Sequence, residues 1–512
     1  MSETLSADVV VVGAGLGGLS VARHLQEKGI DVIVLEHHTK PGGYAHYFRA
    51  GGYRFEVALH ALDGLGSGGW ARPMFATLGI LDRVEFNRLD PFYTVAFPDF
   101  EMSAPTDIDE YIERFAAIFP DERDGVKKLF EAIKRVGHDV ARFTADRRSG
   151  VRVDMGQMLE RYPDMAMAFA SPWSTFIGEY IESVQARALV TTLWGYLGLP
   201  PSKLSAGQFA MTLLSYHTAG AWYPTGGSGA MSFAIMEAIV EAGGDVRLRN
   251  TVTSIVPEGP DSVTVTTNRD LVVEAKAVVS NASPRSTVGL LPEGVVTREW
   301  LGEIERDRPA LSTMTVHLGV AVDLAAGGWN HHEYFAMSGY DFDVEYEAIL
   351  AGDFTNVGMI VSNYSVVDQR CAPEGKSVIV LTVLAPWDHN DVWGTGGDLE
   401  DYGNNPEYIA TKEASGQILI DRAKRLIPGL EGAIEVVKIA TPLTNARYMM
   451  QPQGSIYGRE HSVANMMNRR RPTTPVPNLF LTGAWIGGGG MTAAVGSGKA
   501  AAGAVTRYLE NM

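Results

Sequence analysis

The chain has 512 residues, of which 46% are hydrophobic and 20% charged, and its formal charge at neutral pH is −17. Such a length buries a large core and suggests two to four domains, while the acidity excludes a protein built to neutralise phosphate backbones, so no nucleic-acid partner is expected. The single cysteine, Cys371, excludes an intramolecular disulfide framework and any multi-cysteine metal site, and no metal is expected.

Residues 1–8 lack the charged and apolar regions of a signal peptide. No uninterrupted apolar run reaches the roughly 18 residues that a spanning helix needs. A cytoplasmic protein is therefore expected, with peripheral membrane contact as the further expectation. Val9–Val12 then reads as a parallel strand buried on both faces. It leads into Gly13-Ala14-Gly15-Leu16-Gly17-Gly18, a G-x-G-x-x-G run with glycines at 13, 15 and 18. Apolar positions at Leu16, Leu19, Ala22 and Leu25 predict a helix that Gly29 stops, followed by a second strand ending in Glu36. The glycines serve different ends. Gly13 permits the tight turn, Gly15 the approach to a pyrophosphate, and Gly18 the packing of helix on strand. The helix N-terminus offers free N–H groups to a diphosphate. Glu36 stands about 20 residues on, where an acid accepts ribose hydroxyls. Strand, glycines, helix, strand and acid together predict a dinucleotide site.

A second glycine pair, Gly42-Gly43, follows in a turn-rich loop beginning His37-His38. Residues 106–136 predict two amphipathic helices, with Thr106 as N-cap and Pro120 as the break. Residues 155–200 read as largely helical and rich in Met and aromatics, from Met155 and Met158 to Trp194 and Tyr196. A sharp loop at 223–229 precedes a helix over Met231–Ala242. Strands are expected at 245–256, 262–267 and 271–280, and again at 312–320, 357–363 and 377–385, the latter three in a separate sheet. The basic run Arg469-Arg470-Arg471 reads as a solvated turn or a local anion contact. The C-terminus repeats the opening pattern: a strand to Gly483, glycines at 487–490, and a helix over Met491–Leu509.

Right-handed crossovers let a parallel sheet gather such distant segments. The fold class expected is α/β, with a discontinuous Rossmann-like dinucleotide domain made of 1–75, 225–290 and 475–512. An α+β substrate or cap domain would comprise 76–224 and 291–474. The second glycine pair and the C-terminal junction favour FAD over NAD, because the longer dinucleotide needs a second contact surface. A helix N-terminus near 490–493 would stabilise an anionic reduced flavin. With no redox cysteine pair and no second nucleotide fingerprint, a disulfide reductase is not expected.

The segments VVVGAGLGGLSVARHL, PGGYAHYFRAGGYRFEVALHALDG, WGYLGLPPSK, AWYPTGGSGAM, AVVSNASP and TPVPNLFLTGAWIGGGGMTAAVGSGKAAA resemble the phytoene desaturase, carotenoid isomerase and retinol saturase group of FAD-dependent proteins. FEVALHALDG, GYLGLPPSK and YPTGGSG are most similar to the retinol saturase branch. The resemblance covers nearly the whole chain and implies an amine oxidase/phytoene desaturase-like fold. It implies that Gly13, Gly15, Gly17, Gly18, Glu36, His37, Gly42 and Gly43 meet the adenosine and diphosphate half of FAD. Val252 would meet adenine, and Gly483, Met491 and Thr492 the flavin end. Two departures stand out: the broader group's Gly-Gly-Arg ends here in Tyr44, and its aromatic–Asp–x–Gly becomes Phe55-Glu56-Val57-Ala58.

The expected activity is oxidoreduction of carbon–carbon bonds, desaturation or saturation, in an apolar polyene or isoprenoid-like small molecule, with an unidentified electron partner. The alternatives are a reduced-FAD-dependent isomerase, an amine-oxidase-like flavoenzyme and, further off, a non-catalytic escort of prenylated proteins. The catalytic candidates are His60, His46, His217 and Tyr223, which carry transferable protons in apolar stretches. Glu56 reads as a structural carboxylate for backbone N–H groups.

Overall fold

The computed structural model describes residues 3–151, 153–387, 391–468 and 470–512, so Arg469 of the basic run lies outside the described residues. Among the described residues the strands form two seven-stranded sheets and two two-stranded pairs. The first sheet is built on Glu3–Val12, which lies parallel to Leu271–Ser280 on one side and Val32–Leu35 on the other. Val9, Val10 and Val11 are fully buried, as a central strand covered on both faces requires. Leu479–Leu481 joins in parallel at the end of Leu271–Ser280, pairing Val278 with Leu479. Asp245–Arg247 extends the other edge, and an antiparallel pair, Val252–Pro257 with Val263–Thr267, completes the sheet.

Two helices cover this sheet where it matters for the site. Leu16–Gln26 follows the first strand with Gly15 as its N-cap, and Met491–Glu510 packs against it. The two approach closely because both present small residues. A Cβ on Gly498 would stand 2.6 Å from the Gly17 carbonyl, and the Ser20 hydroxyl donates to the Val495 carbonyl across the contact.

The second sheet runs in the order Ile434–Ala440, Ser312–Val320, Ser377–Ala385, Met359–Asn363, Glu333–Ala336, Tyr93–Ala96, Glu101–Ala104. Three of its strands match the apolar runs of the sequence. The others are short or half-buried; Tyr93–Ala96 and Glu333–Ala336 have four residues each, too few for a period to show.

Several expected elements shift for local reasons. The N-cap of helix Ile108–Ile118 is Asp107, whose side chain accepts from the Glu110 N–H; Thr106 is buried and accepts instead from Arg88. After Pro120 the next helix runs from Arg123 to Arg148, beyond the expected end. Residues 155–200 break into four short helices and a 3₁₀ turn, with Pro163 and Pro172 at two of the joints. The helix expected at Met231 already begins at Ser228, behind Gly227 at φ 75°. The strand expected over 245–256 splits around Arg249, which adopts φ 61°.

Candidate functional site

The first sheet ends in a cavity of about 2430 Å³ whose lining comes from both ends of the chain and from elements around each sheet. Pockets for drug-sized ligands span roughly 300–1,000 Å³, so this one has room for a dinucleotide and a second molecule together.

One end of the cavity is built almost wholly from backbone. Gly13 turns at φ 94° and donates its N–H to the Leu35 carbonyl at 2.7 Å, tying the two parallel strands together at their C-terminal ends. A Cβ on Gly15 would stand 2.6 Å from the Asn281 amide nitrogen, and one on Gly17 would meet the Asn281 oxygen at 2.6 Å. Gly18 faces away from the cavity lining and packs on the carbonyl of Gly13, the close helix-on-strand contact for which only glycine has room. Glu36, at the tip of the second strand, accepts from Ala14 N–H at 2.6 Å and His38 N–H at 2.8 Å. A carboxylate has about four lone-pair positions, so each oxygen keeps one for a ligand hydroxyl. Asn281 Oδ1 is buried without a hydrogen-bond partner. It stands where the Gly13–Gly18 turn, the strand Leu271–Ser280 and Gly483 converge.

Gly13, Gly15, Gly17, Glu36, His37, Gly42 and Gly43 all line this one cavity. So do Val252, Gly483, Met491 and Thr492, although hundreds of residues separate them in sequence. Gly42 (φ 119°) closes on the first turn by donating to the Ala14 carbonyl at 2.7 Å. Thr492, in the first turn of the C-terminal helix, donates its hydroxyl to Asp63 at 2.6 Å. Asp63 also accepts from Ser215 of the helix Ala206–Ala219, so one carboxylate ties three segments of the wall. The glycine turn, the unpartnered Asn281 oxygen and the helix N-terminus together fit an FAD laid from Glu36 toward Met491. Asn281 and Asp63 are not singled out by the sequence. Asn281 carries a signal all the same, since it ends a buried strand in the small-residue turn Ser280-Asn281-Ala282.

The four catalytic candidates separate. His60 lines the cavity, whereas His46, His217 and Tyr223 do not. The His46 Nδ1–H donates to the Gly43 carbonyl at 2.6 Å, and burial lowers the ring's pKa to about 4, so it is a neutral brace for the second glycine turn. His217, on the helix Ala206–Ala219, is packed edge-on against Tyr111 and Phe130, with Nδ1 3.2 Å from the Thr106 carbonyl; burial lowers its pKa also to about 4. The Tyr223 hydroxyl donates to Glu56 at 3.1 Å, and burial holds its proton firmly in place. Glu56 itself accepts from the N–H groups of Val57, Leu59 and Ser228 and from the Ser228 hydroxyl. It is the structural carboxylate its surroundings suggested, with burial raising its pKa against those hydrogen bonds.

His60 stands at a different kind of wall. Its ring stacks on Tyr196 with centroids 5.6 Å apart. Both residues line a second, smaller chamber of about 90 Å³ as well as the main cavity. Its Nδ1 lies 3.3 Å from Glu333 and 3.1 Å from the Ser362 hydroxyl, both supplied by strands of the second sheet. The chamber's other lining includes Met337, Phe335, Thr382 and Glu345, whose carboxyl burial pushes up to about 7. Cys371 is buried, and desolvation pushes its thiol up to about 11, which suits a packing role over a nucleophilic one. Chemically, the arrangement offers a dinucleotide cradle, an apolar lining, and His60 facing the same cavity.

The family described as flavin containing amine oxidoreductase matches residues 16–389. All-trans-retinol 13,14-reductase of Macaca fascicularis is 28% identical, over 93% of this chain and 82% of its own. A chloroplastic prolycopene isomerase of Daucus carota is 24% identical, over 93% of this chain and 76% of its own. Among solved structures, cyclohexylamine oxidase from Brevibacterium oxydans IH-35A superposes with a TM-score of 0.63 at 17% identity, over 98% of this chain and 99% of its own.

Proposed function

The chain belongs to the flavin containing amine oxidoreductase family and is an FAD-dependent oxidoreductase; from that premise we propose that it saturates or desaturates a carbon–carbon bond of an elongated apolar polyene. One observation carries this reading. Besides the glycine cradle, His60 and Tyr196, the same cavity is lined by an apolar group, Met158, Met165, Phe169, Met211 and Leu214. That group offers apolar contact along a chain, and among the described lining residues the only carboxylates that could meet an amine are Glu36 and Asp63. The retinol reductase and prolycopene isomerase relatives, which act by name on such molecules, support the same substrate class.

FAD, when bound, supplies or takes up the hydride at one carbon of the reacting bond. The chain's own part is threefold. Gly13–Gly18, Glu36 and Gly42-Gly43 hold the dinucleotide, and the N-terminal turn of Met491–Glu510 presents partial positive charge to its far end. The apolar group orients the polyene and excludes water. His60 exchanges the accompanying proton at the neighbouring carbon.

Isomerisation with reduced FAD is the second reading, favoured by the prolycopene isomerase relative. Incubating reduced holoprotein with a panel of polyenes and of amines under nitrogen separates the readings. A product two hydrogens heavier, with flavin reoxidised in step, supports saturation. A product of unchanged mass, with flavin still reduced, supports isomerisation. Peroxide release from an amine in air, with every polyene untouched, overturns both.

Peripheral membrane contact is proposed as the route for such a substrate. Trp70 lines the cavity yet is 48% exposed, and Leu159 and Met167 are 57% and 59% exposed. No helix among the described residues is long and apolar enough to cross a membrane. Flotation of the protein with liposomes supports the contact, and recovery of all protein in the soluble fraction overturns it.

A further inference from the structure

We infer that Glu333 is the positioning residue that fixes the tautomer of His60 and so assigns the proton-exchanging atom of the site to His60 Nε2. The inference rests on the proposed carbon–carbon chemistry for its functional consequence, but its geometry stands apart from it.

Glu333 opens the strand Glu333–Ala336 and is sealed from solvent, with its side chain fully buried. Its ion-pair partners among the described residues are two histidines, His60 at 3.3 Å and His332 at 4.0 Å. Its other oxygen, Oε2, is buried without a hydrogen-bond partner. An under-satisfied buried carboxylate is costly, and it persists in folded proteins chiefly where it serves a site.

The neighbouring histidine cannot be the group it serves. His332 Nε2 lies 3.0 Å from the His60 carbonyl, which only accepts, so the His332 proton sits on Nε2. Burial lowers the His332 pKa, keeping that ring neutral. His60 is left as the donor to Glu333. A carboxylate accepts only, so His60 Nδ1 carries a hydrogen directed at Glu333 Oε1, with the Ser362 hydroxyl beside it. The other nitrogen, Nε2, is then the one that gains and loses a proton.

Tyr196 fixes the ring plane by stacking on it, and its own hydroxyl is buried without a partner. Carboxylate, histidine and stacked phenol thus come from three separate segments, and the histidine and the phenol line both cavities. In the saturating direction a hydride from reduced FAD forms one C–H bond and a proton from Nε2 forms the other, while the C=C π bond breaks. The substrate is reduced, FAD is left oxidised, His60 is left with hydrogen on Nδ1 alone, and water returns the Nε2 proton. A two-electron donor, dithionite in the test below, restores reduced FAD. Desaturation is the reverse, with Nε2 accepting.

The test uses full-length holoprotein carrying ¹⁵N-labelled histidine, with His60 identified by comparison with His60→Gln. The tautomer is read from the ring nitrogen shifts at a pH where His60 is neutral. The expected result is hydrogen on Nδ1 in the wild type and redistribution toward Nε2 in Glu333→Leu. Hydrogen on Nε2 in the wild type overturns the inference. The second arm is dithionite-driven turnover. Glu333→Gln, which keeps an acceptor but loses the charge, is expected to lower kcat about tenfold or more with KM within about twofold and flavin content unchanged. Glu333→Asp is expected to recover part of the loss. An unchanged kcat in Glu333→Gln overturns the inference even where Glu333→Leu does not fold. Failure of the wild type to act on any polyene overturns the proposed function instead, and the nitrogen shifts then still decide the role of Glu333.

Discussion

The two ends of the cavity are made of different material. The dinucleotide end is backbone: glycines at 13, 15, 17, 42, 43 and 483, closed by main-chain hydrogen bonds such as Gly13 to Leu35 and Gly42 to Ala14. The far wall is side chain: His60 and Tyr196 line it, with Glu333 and Ser362 held at His60 Nδ1, each delivered by a different segment. A surface made of backbone tolerates almost no added atom, because nothing there can rotate away. A surface made of side chains can change its chemistry by single substitutions while the fold stays. The cofactor is thereby held constant while the reacting wall is free to vary.

Changes in the cradle should therefore cost the cofactor, and changes in the wall should cost rate or stability with the cofactor retained. The largest effect is expected for Gly15→Val, whose Cβ alone would stand 2.6 Å from Asn281. Flavin content after gel filtration should fall at least tenfold, and full retention would break the distinction. Next is Glu56→Ala, outside the glycine cradle, which strands the N–H groups of Val57, Leu59 and Ser228 and the Tyr223 hydroxyl. Each unmet buried group costs about 1–3 kcal/mol, so urea unfolding at saturating FAD should show a loss of at least that size.

A pH experiment sharpens the contrast further. Burial raises Glu345 from 4.5 to about 7 in the folded chain. The folded state then binds the extra proton, so this group's effect on stability is absent below its unfolded value and becomes a penalty as pH rises toward 7. Glu345→Gln should leave stability near pH 4 unchanged and raise it at pH 8, by on the order of 2–3 kcal/mol. Asp368 has the opposite sign. Against the raising effect of burial, the Gly226 N–H and Arg54 lower its pKa, so its contribution is present above the unfolded value and is lost as pH falls through the folded one. Asp368→Asn should flatten the acid limb of the stability curve below about pH 4, and chemical denaturation across that range checks it.

The same division explains what is legible in the sequence. Val9–Val12, the glycine run and Glu36 are local, because a strand, a turn and a helix start must be written in consecutive residues. The C-terminal junction is legible for the same reason, as a strand, glycines and a helix in order. Glu333 is not, since it sits in a four-residue strand whose partner at Tyr93–Ala96 lies some 240 positions earlier and whose meeting with His60 depends on the second sheet. His46 and His217 look as available as His60 in sequence. Only burial, of His46 against Gly43 and of His217 against Tyr111 and Phe130, sets them apart. The composition of the helical stretch over 155–200 is legible, but its Met and aromatic residues suggest more continuous helix than Pro163 and Pro172 allow.

The most direct test of this division of labour is a structure of the protein crystallised with FAD and an all-carbon polyene. The diphosphate is expected against Gly13–Gly18, the flavin ring between the second glycine turn and Met491-Thr492, and the polyene crossing the ring beside His60 Nε2. A polyene bound away from His60, or a flavin that does not reach the Met491 helix, would contradict it.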